Sequence, residues 1–286
     1  MKKVNHLLKL PVLLLLLVIP MLSFAPQKQV TWVAIGDSIT YLNDHLDETG
    51  NRVTKGYLTR VKEELPYLNY INQGHNGWTT VGIATEIEKL GLVKADLYSI
   101  FLGTNDWWGG LPLGTIDDYK NDTGPGTTCG AYRKIINKIR SLNSKAKIVL
   151  ITPMQRNDFV YINDAHNNAY GSYKERNGQW LEAFANAIQD IGRHENLPVV
   201  DLYHNSALKL QKLVKFKRLK DMASGEYKNY KYPKSVGVPF DPAKDEYPYP
   251  VKAANKTFDG LHPSDKGNAV IAKNVARVFK HLGLQR

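Results

Sequence analysis

Short apolar runs alternate with amphipathic stretches along most of the chain, the pattern of strand, helix, strand in a parallel α/β sheet. The runs predict strands at Thr31–Ile35, Leu68–Asn72, Ala95–Leu102, Lys147–Thr152 and Pro198–Leu202. Between them, apolar residues at helical spacing predict helices at Gly56–Leu65, Thr80–Leu90, Ala131–Leu142 and Gln179–Glu195. A last helix, Asp265–Leu282, brings Val270, Ile271, Val275, Val278 and Phe279 to one face, where it can close the sheet. Five strands with intervening helices predict one three-layer α/β/α domain on a five-stranded, flavodoxin-like parallel sheet, because right-handed crossovers leave few topologies. Ligands of such sheets sit at the carboxyl ends of the strands, so the residues just after each strand are the ones to inspect.

Two stretches break the alternation. One is Pro153–Arg176. The other, about 204–257, is rich in Lys, Tyr and Pro, has no clean period and reads as an inserted loop or cap over the sheet. At the amino end, Lys2, Lys3 and Lys9 precede an apolar run from Val12 to Leu22 and the small-residue site Ser23-Phe24-Ala25. That run is short for a membrane span and predicts a signal peptide over residues 1–25, cleaved near Ala25, with the single domain at 26–286 in a secreted or periplasmic location.

Charge changes the picture next. The chain has 38 Lys and Arg against 27 Asp and Glu, a net +11, which puts nucleic acid, anionic membrane or acidic polymer among the partners to consider. Residues 1–25 hold three of the lysines and none of the acids, leaving +8. Lys209–Lys234 alone has nine Lys and Arg against Asp221 and Glu226, a local +7. The basicity is therefore one segment, and an exported protein meets polysaccharide or membrane rather than nucleic acid. The single cysteine, Cys129, excludes an intramolecular disulfide and a cysteine metal cluster.

Four strand-end blocks hold candidate chemistry. Gly36-Asp37-Ser38-Ile39-Thr40 follows the first strand and exposes a serine hydroxyl and its N–H, or forms an ordinary Gly-Asp turn. Asn72-Gln73-Gly74-His75-Asn76-Gly77-Trp78-Thr79 follows the second, where glycines either admit a ligand to the backbone or simply turn the chain. Gly103-Thr104-Asn105-Asp106 follows the third; Asn105 can donate to a developing oxyanion or cap a helix. Asp259-Gly260-Leu261-His262-Pro263-Ser264 precedes the last helix, spaced so that the carboxylate can orient the imidazole, while Ser264 is a good N-cap. Asp37 and Asp106 read as turn braces. The other histidines, His75 included, are scattered without metal-ligand spacing, and no metal site is expected.

Together and in this order, the four blocks resemble those of the SGNH hydrolases, the GDSL esterase/lipase family, nearly end to end over residues 26–286. The first block has Ile39 where the family name has leucine. The resemblance implies Ser38 as nucleophile, His262 as base, Asp259 as its orienting acid, and an oxyanion hole of the Ser38 N–H, Gly77 and Asn105. Gly77 is preferred to Gly74 because the family's glycine lies five residues after the strand-end asparagine, here Asn72. It also implies acyl transfer from an ester without metal or cofactor, with activity falling as acid protonates the histidine, ordinarily near pH 6.5.

Trp78, Trp107, Trp108 and His75 adjoin these blocks and are candidates for substrate binding, or for core anchors. The basic segment, with Tyr227, Tyr230 and Tyr232 interleaved, is a candidate for steering an acidic glycan or anionic lipid toward the cleft. The expectation is an exported esterase removing short acyl groups, above all acetyl, from a carbohydrate. A lysophospholipase or thioesterase is the alternative within the class, and a non-catalytic polyanion-binding module the alternative outside it.

Overall fold

The computed structural model describes residues 28–285. The signal peptide expected at residues 1–25 lies outside them. Nine strands occur among the described residues: β1 Val30–Gly36, β2 Leu68–Gly74, β3 Leu97–Phe101, β4 Lys147–Ile151, β5 Phe159–Val160, β6 Asn168–Ala169, β7 Val199–Val200, β8 Lys217–Lys220 and β9 Tyr227–Tyr230. The helices are α1 Ser38–Tyr41, α2 Tyr57–Glu64, α3 Thr80–Thr85, α4 Thr104–Gly109, α5 Ile116–Lys120, α6 Thr128–Leu142, α7 Leu181–Glu195, α8 Leu210–Leu213 and α9 Asp265–Lys280. No helix among the described residues is long and apolar enough to cross a membrane.

The central sheet has the order β2-β1-β3-β4-β7 and every pairing in it is parallel. Its layers follow from the period of two along a strand. On β1, Trp32 and Ala34 join the core under α2 and α9, with Tyr57, Leu58, Val61, Ile271, Val275 and Phe279, while Val33 and Ile35 join the opposite core, with Ile83, Ile135, Ile139 and Ile188. β3 and β4 alternate in the same way, Leu97 and Val149 to the first face, Tyr98 and Ile148 to the second. Ser99 is the polar residue on the first face, and it accepts the Trp32 indole N–H at 2.9 Å. The three-layer α/β/α architecture is thus the one that an apolar run with both faces buried requires.

Several element ends differ from the sequence expectation, each for a local reason. The last strand keeps only Val199–Val200, because the Thr152 hydroxyl accepts from the N–H groups of Leu202 and Tyr203 and draws the chain off the ladder. α3 stops at Thr85, and the turns after it still bury Ile87 and Leu92. α7 starts at Leu181, not Gln179, since Gln179 bridges Leu111 and Leu113 with its side chain and pairs with Arg176 through its backbone. α6 starts earlier, at Thr128, where the Thr127 hydroxyl caps it by accepting from Gly130.

The 204–257 stretch holds α8 and the β8–β9 hairpin. Its buried Leu208 and Leu213 join the sheet core under α2 and α9, while Val214 and Tyr249 pack on Val160. The Lys217 ammonium meets Asp158 at 2.9 Å, and Asn157 donates to the Leu210 carbonyl. The stretch therefore buttresses Pro153–Arg176, which folds back over the strand ends through the small β5–β6 hairpin.

Candidate active site

β1 is where strand order reverses: β2 lies on one side of it and β3 on the other. The crevice beyond a reversal of this kind is where doubly wound sheets bind ligands, and Ser38 and Asn105 leave the sheet there. Asp37 caps α1, its carboxylate accepting the Ile39 N–H at 3.0 Å, and so fixes Ser38 as the first helical residue. The Ser38 N–H belongs to the first turn, which has no acceptor within its own helix.

Across the crevice, the block before α9 folds into a tight loop. Asp259 is fully buried and spends one carboxylate oxygen on the N–H groups of His262 (2.7 Å) and Leu261 (3.0 Å). Its other oxygen lies 2.7 Å from His262 Nδ1. His262 Nε2 then lies 2.8 Å from Ser38 Oγ. Gly260 allows the loop: its φ is +96°, and a Cβ there would overlap the Asp158 carbonyl oxygen. The imidazole is held by Phe258, stacked at 5.9 Å, and by Phe159, edge-on at 5.4 Å. A buried carboxylate, an imidazole and a hydroxyl in series form the hydrogen-bond chain that can transfer a proton from serine to histidine.

Gly77 and Asn105 face the same cleft of about 360 Å³ as Ser38 and His262. Gly77 has φ +76° with open space where a Cβ would stand. Gly74 serves another purpose, since a Cβ there would strike the Tyr41 backbone, and it does not line the cleft. Asn105 Nδ2 donates one hydrogen to the Trp78 carbonyl at 2.9 Å, which orients the amide and leaves the second hydrogen for a ligand.

The matching region of the chain, residues 34–222, fits the GDSL-like lipase/acylhydrolase family. The chain belongs to that family. At 67% identity, with TM-score 0.89, it is similar to a structure described as "a possible lipase from Chitinophaga pinensis DSM 2588", over 90% of this chain and 100% of that one. More distant likenesses concern the fold. One is a Lactobacillus plantarum protein at 16% identity and TM-score 0.59, covering 89% of this chain and 98% of that one. Another is a mutant of the Geobacillus stearothermophilus acetyl-xylooligosaccharide esterase at 18% identity and TM-score 0.51, covering 91% and 97%. No curated protein sequence matches the chain.

The two acids next to the site of this acylhydrolase are braces. Asp106 is buried and accepts from Thr80 N (2.8 Å), Thr80 Oγ1 (2.9 Å) and Thr128 Oγ1 (3.3 Å), tying α4 to α3 and α6; burial pushes its carboxyl up from the ordinary value. Burial also raises Asp37, to about 6, against the opposing pull of the Ile39 N–H and of His262. An aspartate raised from 3.8 to about 6 keeps its proton in the fold after the unfolded chain has released it. Its contribution to stability is then full below the unfolded value and lost as pH rises through the folded one. Asp37→Asn keeps the capping carbonyl and never becomes charged. Its melting temperature relative to wild type is expected to climb between about pH 4 and pH 7.5, by the equivalent of roughly 1–3 kcal/mol. A difference that stays flat over that interval contradicts a charged, buried Asp37.

The aromatic candidates separate. Trp108 lines the cleft. Trp107 does not: it is fully buried with Leu181 and Phe184, its indole N–H donating to the Gln179 carbonyl. Trp78 is half-buried against the core under α3, with His75 beside it at 4.8 Å, and neither lines the cleft. Burial lowers His75, and its Nε2 has no partner.

The basic segment also stands apart. None of Lys209–Lys234 lines the cleft, and within it Lys217 pairs with Asp158, Arg218 with Glu246 and Lys228 with Asp221. The cleft walls that sequence reasoning missed come from Pro153–Arg176: Arg156, Phe159, Tyr161 and Asn167. The signal was present, because Arg156 follows the fourth strand just where the strand-end rule points. No group of three or more His, Cys, Asp or Glu among the described residues is arranged to hold a metal.

Proposed function

We propose that the protein is an exported serine esterase that removes short acyl groups, acetyl above all, from a carbohydrate. The observation that carries this reading is the unbroken series Asp259, His262, Ser38 opening into a cleft that also presents Gly77 and Asn105. In the reaction, His262 Nε2 takes the Ser38 proton as Oγ attacks the ester carbonyl. The tetrahedral oxyanion is met by the N–H groups of Ser38 and Gly77 and by the free Asn105 hydrogen. His262 then gives its proton to the departing alcohol, and the acyl-serine is hydrolysed by a water that the same imidazole deprotonates. His262 must be neutral at the start, so activity falls in acid.

The short-acyl reading is supported by the cleft's modest volume and by its walls, where Asn76, Thr79, Asn105, Arg156 and Asn167 interrupt the apolar surface. A sugar ring can stack on Trp108, and an acetyl-xylooligosaccharide esterase is among the proteins built on this fold. Two measurements test the reading. A fluorophosphonate probe is expected to label the wild type and not Ser38→Ala; a protein that takes no label favours the polyanion-binding module. Along a series of 4-nitrophenyl esters, kcat/KM is expected to peak at acetyl or propionyl, and a maximum beyond about C8 favours the lipid acylhydrolase.

Export rests on the lysines and apolar run of residues 1–25. The protein recovered outside the cytoplasm is expected to start near Pro26. A cytoplasmic protein retaining Met1 defeats this part of the proposal.

A further inference from the structure

Arg156 is the one charged side chain, His262 aside, in the lining of the cleft, and it is 1% exposed. A guanidinium has five N–H donors and is ordinarily buried only with an acceptor or a carboxylate for most of them. Here the protein supplies one acceptor, the Tyr170 carbonyl at 2.9 Å, and Nε has no partner. The nearby acids are committed elsewhere: Asp158 to Lys217 and Tyr173, Asp259 to His262. The cation lies against two aromatic rings, 5.3 Å from the Trp107 centroid and 4.9 Å from that of Trp108, and Arg176 lies over Trp108 at 4.6 Å. Neither arginine forms an ion pair with a carboxylate among the described residues. Rings fix a guanidinium in place without neutralising it, so the cleft that holds Ser38 also has in its lining a fixed positive charge with no carboxylate paired to it among the described residues.

We propose that Arg156 receives a carboxylate of the substrate, making the protein an esterase of acidic sugars such as acetylated uronates. The proposal rests on the esterase reading above and adds its substrate class. It also moves the recognition of acidic substrate from the Lys209–Lys234 segment, which does not reach the cleft, to one buried arginine.

The test compares matched pairs differing in a single carboxylate. On the alcohol side the pair is acetylated galacturonic acid and its methyl ester; on the acyl side it is 4-nitrophenyl hemisuccinate and 4-nitrophenyl butyrate. For the wild type, kcat/KM is expected to favour the charged member of the alcohol-side pair by roughly ten- to hundredfold, the range of a charge-assisted hydrogen bond. Preference in the alcohol-side pair supports the uronate assignment. Preference only in the acyl-side pair overturns it in favour of an acidic acyl group, and no preference in either overturns the proposal altogether.

In Arg156→Gln the preference is expected to collapse toward one, mainly through KM, and in Arg156→Lys to recover in part. A preference that survives intact in Arg156→Gln also overturns the assignment. If these variants do not fold, competitive inhibition of the wild type by free galacturonate but not by its methyl ester decides. The two readings fail separately. Hydrolysis of 4-nitrophenyl acetate that persists in Ser38→Ala defeats the esterase mechanism, whereas hydrolysis that depends on Ser38 but ignores charge defeats only the role of Arg156.

Discussion

Ser38→Ala is expected to lower kcat on 4-nitrophenyl acetate by roughly 10⁴-fold or more, leaving KM within a few-fold of wild type. The hydroxyl oxygen is the one nucleophile in contact with His262 Nε2, and alanine leaves the cleft walls and the Ser38 N–H in place. His262→Ala is expected to cost about as much, because an uncharged serine hydroxyl without its base is a poor nucleophile. The double variant is expected to be no worse than either single one, since two residues that act as a unit lose a shared function only once. Steady-state kinetics on the three variants, with circular dichroism to show that each is folded, measure this. Losses that multiply in the double variant, or a Ser38→Ala enzyme within tenfold of wild type, exclude the assigned roles.

Asp259→Asn is expected to cost kcat roughly 10⁴-fold while preserving the fold. The carboxylate accepts from three donors: two backbone N–H groups on one oxygen and His262 Nδ1 on the other. An asparagine can keep its carbonyl toward the backbone pair, so the loop survives. Its NH₂ group then faces Nδ1 and makes that nitrogen an acceptor, which moves the ring proton to Nε2. The nitrogen facing Ser38 Oγ then carries a proton and cannot take another. Full burial of Asp259 leaves no solvent to compensate. Loss of the negative charge also destabilises the imidazolium formed during attack, which adds to the cost in kcat. Retention of more than a tenth of wild-type kcat contradicts the orienting role.

The two strand-end blocks around Ser38 and Asn105 were legible because the chemistry sits at β-strand carboxyl ends, and those ends are marked by the switch from an apolar run to Gly and Asx residues. The pair Asp259–His262 was legible for another reason: its geometry is local, three residues apart, and Gly260 is readable as a turn. Trp107 and Trp108 show the limit of such local reading. They are adjacent in sequence and both follow the oxyanion block, yet one is core and the other lines the cleft. Neighbours on a helix point about 100° apart, and which direction is buried depends on α7 packing against α4, a contact between residues some 75 positions apart.

The same distinction covers the charge. Counting Lys209–Lys234 finds a basic patch, but Lys217 and Arg218 are answered by acids that the fold brings from outside the segment, Asp158 from before the hairpin and Glu246 from after it. Arg156 is one arginine among many in the sequence. It is the cation of the cleft only because Pro153–Arg176 folds across the strand ends and sets it against two aromatic rings with one acceptor. By itself, then, the sequence determined the sheet and its layers, because strand period acts over a few residues, and its resemblance to the SGNH hydrolases marked the residues of the hydrogen-bond chain. The tertiary structure alone decided which aromatic rings and which cation line the cleft, because burial and ion pairing are settled by contacts between segments far apart in the chain.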